Sequence, residues 1–359
     1  MSTLNNITIV IPTYKRYPFL KRLLKFYNDF AIPIKILILD STPYEPSDTE
    51  LEQLLFTDGT IWKKFDPEIT FWDRVSRGTE FIDTDYVTLC ADDDFIIPGA
   101  ITQCIKFLDN NPEYSSAHGL YFIHSNIEEI KRNNFSIGPL YHKGRSALEE
   151  TGSERVQSYL RGKTHYYPLY AIQKTETFRT IWLETEKYTS DWYLTELFPC
   201  CLSFIYGKMK ILPIFYASRE PNTYDVNNYE IFTRCFSKNK LNKAVEGVTN
   251  HLSKADRIPI QEAESIVRGL FNEYVNSAKE NYQSNSYSQS NNGIAIWNKW
   301  KQKVKIRRKL RSIFMQGCHS SIYPVYLEDY IKVKKAVLSA KLTSDELNKS
   351  RQDFANQGG

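Results

Sequence analysis

Short apolar runs alternate with amphipathic segments over the first 125 residues of the chain. Runs rich in β-branched residues and leucine predict strands at 7–11, 34–39, 86–90 and 117–123. Apolar positions at helical spacing predict helices at 17–30, 71–81 and 98–108. This alternation is typical of an α/β protein, with a mainly parallel sheet flanked by helices and right-handed crossovers.

Further along, the pattern is less regular and then becomes helical. Between residues 126 and 225 it predicts helices at 146–160 and 191–204 and a strand at 208–216. From about residue 230 it predicts helices at 230–254, 260–280, 294–315 and 325–340. A polar stretch of low complexity at 281–293 predicts a mobile loop. We place a boundary near residue 228, with a helical region over 229–359.

Composition narrows the class of protein. The chain has 359 residues, 42% hydrophobic and 25% charged, which is ordinary for a globular protein and excludes global disorder. No apolar run approaches the ~18–20 residues that span a bilayer, and we see no secretory leader. The six cysteines form no C-x-x-C pair, which favours reduced thiols and a cytoplasmic location.

The positive charge is concentrated in one segment. Residues 297–311 hold eight Lys or Arg and no acid, against a net charge of +4 for the chain, so the remaining residues carry −4. A basic amphipathic helix at 294–315, with Trp297 and Trp300, fits peripheral binding to an anionic membrane surface. The alternative is a helix that packs its apolar stripe on the protein itself. No base-reading motif accompanies it, so we expect no nucleic-acid partner.

Carboxylates stand at the ends of two predicted strands. Asp40 closes the second strand, and Asp92, Asp93 and Asp94 follow the third. The carboxyl ends of parallel strands meet at one edge of a sheet, where ligands of such folds bind. Three adjacent carboxylates repel one another unless a cation offsets them, and oxygen ligands suit Mg²⁺ or Mn²⁺. The alternative is a helix cap or a solvated turn.

Three motifs occur in order along this part of the chain. They read ITIVIPTY at 7–14, LILDST at 37–42 and DYVTLCADDDFIIP at 85–98. Together they resemble inverting family-2-like glycosyltransferases of the GT-A fold, over about residues 5–220. The resemblance implies a GT-A (Rossmann-like) domain at 1–228, with a nucleotide-sugar half at about 1–125 and an acceptor half at about 126–228. An α-helical C-terminal extension would follow.

The resemblance implies a set of donor contacts. A nucleotide sugar is expected to contact residues at or just beyond the strand ends in these motifs, namely Pro12, Thr13, Tyr14, Arg16, Asp40 and Asp92. Asp40 would contact the base. Aligned on Pro98, Asp93 takes the metal-ligand position, whereas another alignment pairs Asp92 with Asp94, so all three are candidate ligands of Mn²⁺ or Mg²⁺.

The chain departs from the family where an arginine usually approaches the diphosphate. In RVSRG at 74–78, Val75 holds that position. Arg74 and Arg77 are candidate replacements, or else surface arginines. Arg219 is a further candidate for a phosphate contact, or else a partner in a local salt bridge.

On the acceptor side, Asp191 stands where the family places its general base. The same residue could simply cap the helix that follows. Trp192 could lie beneath a sugar ring or in the core, and Glu196 could contact the acceptor or be a structural acid.

These expectations describe a metal-dependent inverting glycosyltransferase. It would move a sugar from a nucleotide sugar, most often a UDP-sugar in this family, to a hydroxyl of a saccharide or lipid-linked acceptor. Surface polysaccharide or glycolipid synthesis is the implied setting. Two alternatives are a nucleotidyl- or sugar-phosphate transferase, which the Gly-free loop PTYKR disfavours, and a non-catalytic GT-A-like assembly partner.

Overall fold

The computed structural model describes residues 3–30, 33–124, 137–139, 145–162, 168–220, 236–289 and 323–339. Within these residues lies one mixed sheet of nine strands: β1 (Ile7–Thr13), β2 (Lys35–Asp40), β3 (Thr60–Lys64), β4 (Tyr86–Leu89), β5 (Phe95–Ile96), β6 (Tyr114–His124), β7 (Ile137–Pro139), β8 (Ile172–Lys174) and β9 (Lys208–Arg219). The helices are α1 (Tyr17–Asp29), α2 (Thr49–Leu55), α3 (Phe71–Gly78), α4 (Pro98–Asn110), α5 (Gly152–Leu160), α6 (Thr175–Tyr188), α7 (Trp192–Tyr206), α8 (Lys238–Asp256), α9 (Ile260–Gln289) and α10 (Tyr323–Ser339).

The sheet is parallel in its first half and mixed in its second. Its order is β3-β2-β1-β4-β8-β6-β9-β5, with β7 paired to β6. Strands β3, β2, β1 and β4 run parallel, as predicted. Strand β8 is antiparallel to both neighbours, β9 is parallel to β6, and β5 is antiparallel to β9. In register, Thr13 lies beside Asp40 and Val10 beside Leu89, so the segments after β1, β2 and β4 leave the sheet at one edge.

The apolar runs form strands because both faces of the sheet are covered. Ile7, Ile9, Val10 and Ile11 of β1 are buried, and α1 packs on one face of this part of the sheet. Such doubly covered strands are continuously apolar instead of alternating. The predictions of these strands and of helices α1, α3 and α4 are confirmed.

Several elements differ from the predictions. The helix expected from residue 146 begins only at Gly152, where Thr151 and Glu154 form a capping box. The pattern missed α2, the partly exposed strand β3, and α6. The loop expected at 281–293 is also wrong over its first part, since α9 continues to Gln289. That segment contains no Gly or Pro, and a helix already nucleated extends through polar residues at little cost. Residues 290–293 lie outside the described part.

Helices α8 and α9 share a core with the acceptor half of the predicted domain. Val248 of α8 and Phe271 of α9 belong to the same buried cluster as Phe198 of α7. Helix α10 packs on α1, with the Lys335 ammonium 3.0 Å from the Asp29 carboxylate. The boundary near 228 and the basic helix at 294–315 fall outside the described residues and stay predictions.

Two further findings concern membrane spans and cysteines. No helix in the described part of the chain is long and apolar enough to cross a bilayer. Cys90, Cys104, Cys200 and Cys201 are free and buried, as expected of reduced thiols.

Candidate functional site

The loop between β1 and α1 forms one wall of the sheet edge. Lys15 has φ 54°, a left-handed conformation that costs energy for a residue with a side chain. Its backbone N–H donates to the Thr42 hydroxyl over 2.8 Å, which ties the loop to the end of β2. Pro12 and Tyr14 are partly exposed here, and the Thr13 hydroxyl donates to the Asp92 carboxylate over 2.8 Å. The predicted donor contacts from this loop therefore do lie at the edge that carries the aspartates.

Asp40 lies at the predicted edge with its carboxylate fully buried. One oxygen accepts from the Thr42 backbone N–H over 2.8 Å. The other accepts from the Tyr17 hydroxyl at 2.8 Å, the Trp62 indole N–H at 3.1 Å and the Lys64 ammonium at 3.2 Å. Asp40 is fully buried and already accepts from four donors, so its direct role in the structure is to tie the start of α1 and the end of β3 to the end of β2.

The aspartate triplet spreads its three carboxylates in different directions. Asp92 accepts from Thr13 and is 3.1 Å from the Nε of Arg16. Asp93 binds another nitrogen of the same guanidinium, Nη2. Asp94 faces the other way and accepts from Arg219 Nε at 2.8 Å. The side chain of Asp93 is 26% exposed, against 5% for Asp92 and 9% for Asp94, so Asp93 is the carboxylate that a ligand reaches most easily.

Burial and mutual repulsion disfavour the ionised forms of two carboxylates in the triplet, and so raise their pKa values. Burial raises the pKa of Asp92 to about 6, and the charge of Asp93 acts in the same direction, while Arg16 opposes both. Burial likewise raises the pKa of Asp94 to about 7, with Arg219 opposing and Asp93 adding to the increase. A cation near these carboxylates would favour their ionised forms.

The carboxylate oxygens at this edge suit a hard divalent cation that a bound substrate would also help to hold. In the described part of the chain, no group of three or more His, Cys, Asp or Glu side chains is arranged to enclose a metal ion. Mg²⁺-type sites are usually built from one or two carboxylates together with substrate phosphates. Asp93 suits this role by exposure. Both oxygens of Asp94 are engaged, one by Arg219 and the other by the Glu220 backbone N–H at 3.1 Å, which disfavours the alignment that pairs Asp92 with Asp94.

The two candidate arginines of α3 differ in burial and in hydrogen bonding. Arg74 is buried and donates from Nη1 to the Thr13 carbonyl oxygen at 2.7 Å and to the Ser41 hydroxyl. Burial lowers the pKa of Arg74 to about 10, while the carboxylates of Asp40 and Asp92 act against this. Arg77, one turn later on the same helix, is exposed. Arg74 thus anchors the strand ends in this structure, and neither guanidinium lies beside the Asp93 carboxylate.

Arg219, the last residue of β9, lies beside Asp94 and Tyr170. Its guanidinium lies 4.9 Å from the centre of the Tyr170 ring and binds Asp94. Burial raises the pKa of Tyr170, with Arg219 opposing and Glu196 adding to the rise. Burial also raises the pKa of Glu196, again opposed by Arg219, although the Glu196 side chain keeps solvent-exposed surface. That combination is expected of a carboxyl group on the wall of a cleft.

Asp191 is the N-cap of α7. Its Oδ1 accepts from the Leu194 backbone N–H at 3.1 Å, and its Oδ2 is 3.8 Å from the Lys240 ammonium of α8. The side chain is 6% exposed. The capping role is present in the structure, and it does not exclude a second role for the other carboxylate oxygen. The side chain of Trp192 lies outside what the structure describes.

A buried ionic network behind the triplet was missed by the sequence reasoning. Arg22 of α1 donates from Nη2 to the Asp93 carbonyl oxygen at 2.9 Å and is 2.6 Å from Glu220 Oε2. His124 Nε2 is 3.6 Å from the same oxygen. Although burial opposes its ionisation, Glu220 has a pKa of about 2 because Arg22 and His124 favour its charge. The sequence does contain an indication of this network, because Arg22 lies on the apolar face of α1 with Phe19 and Phe26, where an arginine needs a buried partner.

Part of the chain matches a known family of glycosyl transferases. Residues 8–178 match the model of a family described as Glycosyl transferase family 2. A search of curated protein sequences finds no match. Similar solved structures include S. aureus TarS, at 11% identity and TM-score 0.47, over 74% of this chain and 43% of TarS. The chain therefore spans less than half of that TarS chain.

Two shorter TarS structures, of its residues 1–349, are also similar. The complex with UDP-GlcNAc has 13% identity and a TM-score of 0.47, over 74% of this chain and 72% of that one. The complex with UDP has 12% identity and a TM-score of 0.47, over 82% and 78%. The match to glycosyl transferase family 2 covers residues 8–178, which contain the strand-end aspartates and most of the sheet edge described above.

Proposed function

We propose that the protein is a metal-dependent inverting glycosyltransferase that transfers a sugar from a nucleotide sugar to an acceptor hydroxyl. One observation carries the proposal: in the segment that matches glycosyl transferase family 2, Asp93 presents an accessible carboxylate at the sheet edge beside the Arg16 guanidinium, and the adjacent Asp94 binds Arg219. Such an edge offers negative groups to a cation and positive groups to a diphosphate.

The donor half would bind and orient the nucleotide sugar. The loop from Pro12 to Tyr14 would contact the nucleotide, and it lies next to the buried Asp40, since Thr13 pairs with Asp40 in the sheet. Asp93, with Asp92 beside it, would hold Mn²⁺ or Mg²⁺, which as a Lewis acid offsets the charge that develops on the departing diphosphate. Arg219, which is held by Asp94, would contact the same phosphates.

The acceptor half would supply the base. Inversion in one displacement requires a group that takes the proton of the attacking hydroxyl. Asp191 is our candidate, since its Oδ1 is held by the helix N-terminus while Oδ2 remains directed elsewhere, towards Lys240. Glu196, whose ionised form is favoured by the charge of Arg219, is the candidate for an acceptor contact.

The substrates are proposed from the family alone. A UDP-sugar is our first choice of donor, and a saccharide or lipid-linked acceptor of surface polysaccharide or glycolipid synthesis is our choice of acceptor. A cytoplasmic enzyme that reaches the inner face of the membrane through residues 294–315 would suit a lipid-linked acceptor.

The test is a panel of nucleotide sugars with Mn²⁺, scored for slow donor hydrolysis and for transfer to simple acceptors. We expect one or few donors to be turned over, and chelation of the metal to stop the reaction. Asp93→Asn should reduce turnover roughly 10²-fold or more. Asp83→Asn is the matched control, since Asp83 is an exposed carboxylate at the other end of β4, paired with Lys35.

The outcomes separate the alternatives. Hydrolysis or transfer by the wild type that Asp93→Asn leaves unchanged would contradict the metal assignment. Release of pyrophosphate from a sugar 1-phosphate and a nucleoside triphosphate would indicate a nucleotidyltransferase. Binding of nucleotide without turnover of any donor would favour a non-catalytic assembly partner.

A further inference from the structure

Arg16 occupies the acidic side of the candidate site. Its Nε lies 3.1 Å from Asp92 Oδ1, and its Nη2 binds Asp93 Oδ2, so a single guanidinium bridges both carboxylates. The side chain is 11% exposed and its guanidinium carbon lies 4.5 Å from the centre of the Phe19 ring. A planar cation held by two carboxylates and an aromatic face is well ordered.

The backbone around Arg16 leaves its side chain available for this task. Arg16 is the N-cap of α1, but its side chain makes no capping hydrogen bond. The residue before it, Lys15, is held in the left-handed conformation by the contact to Thr42. Strained backbone of this kind is concentrated at ligand sites, because the surrounding structure must hold it there.

Charge counting shows what a metal ion would meet. When ionised, the three carboxylates of the triplet face two guanidinium groups, those of Arg16 and Arg219, while Arg22 behind them is paired with Glu220, so the triplet has one more negative charge than its side-chain ion pairs supply. A divalent cation added to this arrangement would make the cluster positive and would stand close to the Arg16 guanidinium. Like charges at such distances repel strongly in a partly buried site. A diphosphate would remove the conflict, because it brings negative charge for the guanidinium to bind.

We infer that Arg16 is the internal counter-ion of the acidic loop and competes with the divalent cation for Asp93. This inference rests on the proposed function. In the free protein Arg16 holds Asp92 and Asp93 in place and keeps metal affinity low. When a nucleotide diphosphate binds, Arg16 exchanges a carboxylate for a phosphate and Asp93 becomes available to the cation. Metal and nucleotide then bind with positive coupling, which must be the same whichever binds first.

The experiment measures Mn²⁺ binding to the full-length protein without nucleotide, from the electron paramagnetic resonance signal of the free ion. Arg16→Met removes the charge and keeps an apolar stem against Phe19. We expect it to bind Mn²⁺ at least roughly tenfold more tightly than the wild type. Arg16→Lys keeps the charge and should stay near the wild type. Lys25→Met is the matched control, since it removes a positive charge from the exposed end of the same helix.

The second measurement repeats the titrations with UDP present. In the wild type UDP should strengthen Mn²⁺ binding, and in Arg16→Met this coupling should fall roughly tenfold. Circular dichroism checks that each variant is folded, and Arg16→Gln replaces Arg16→Met if the latter is not.

The possible results separate this inference from the proposed function. Equal or weaker Mn²⁺ binding by the folded Arg16 variant, including no binding by either protein, would overturn the inference. Tighter binding by the variant, together with no binding of any nucleotide by the wild type at any metal concentration, would support the counter-ion role and refute the proposed transfer.

Discussion

The sharpest test of the site geometry compares the two arginines of α3. Both were candidate phosphate contacts, and they lie one turn apart on the same helix. Arg74 is buried against the ends of β1 and β2, whereas Arg77 is exposed. If Arg74 is an anchor, Arg74→Met should destabilise the fold, and Arg77→Met should not.

The size of the effect follows from the contacts. Arg74 donates to the Thr13 carbonyl oxygen over 2.7 Å and to the Ser41 hydroxyl. A hydrogen bond from a charged donor contributes about 1.5–3 kcal/mol, and the two acceptors would be left unpaired in a buried place. Burial of the methionine side chain recovers part of this, so we expect a net loss of about 2–4 kcal/mol. Arg77→Met should change the stability by less than about 0.5 kcal/mol.

The assay is urea unfolding followed by tryptophan fluorescence, combined with the KM for the donor. With a slope of about 3 kcal/mol per molar urea, the midpoint for Arg74→Met should fall by roughly 1 M. Equal midpoints for the two variants, with a selective rise in donor KM for Arg74→Met, would show that Arg74 is a phosphate ligand and that the anchoring role is wrong.

Three further predictions concern other parts of the fold. Gly119→Ala should destabilise the protein by about 1–3 kcal/mol in urea unfolding, because its new Cβ would lie 2.6 Å from the Ile214 carbonyl oxygen, whereas Gly99→Ala, with open space around it, should not. Burial lowers the pKa of His118 to about 4, so the unfolded chain binds a proton that the fold does not between pH 6.5 and 4. Stability should therefore fall by about 2 kcal/mol from this group between pH 7 and 5, and His118→Asn should flatten the slope; an unchanged slope would refute the assignment. Asp191→Asn keeps a capping oxygen, so transfer should drop roughly 10²–10⁴-fold with donor binding intact, and near-normal transfer would leave Asp191 as a cap alone.

Part of the site could be predicted from the local sequence, because buried strands and helices leave a regular spacing of apolar residues. Buried parallel strands must be apolar on both faces, so β1, β2 and β4 stand out as runs, and the aspartates that follow them must leave the sheet at one edge. Helix α6 carried a usable signal as well, since Phe178, Ile181 and Trp182 are buried at helical spacing.

The pairings within the site could not be read in this way. Arg219 and Asp94 are 125 residues apart and meet because β9 lies beside β5 at the end of the sheet order. The inward turn of Arg74 depends on how α3 packs over the end of β1, and the charged residues at 74 and 77 look alike in the sequence.

By itself, the sequence determined the α/β class, the parallel first half of the sheet and the edge at which the carboxylates gather. Only the tertiary structure decided which cation binds which carboxylate, that Asp93 is the accessible member of the triplet, and that Asp40 is already held by four donors. The physical reason is that burial is recorded locally, in the spacing of apolar residues. Ion pairs between distant segments depend on strand order and crossover geometry, which no local pattern records.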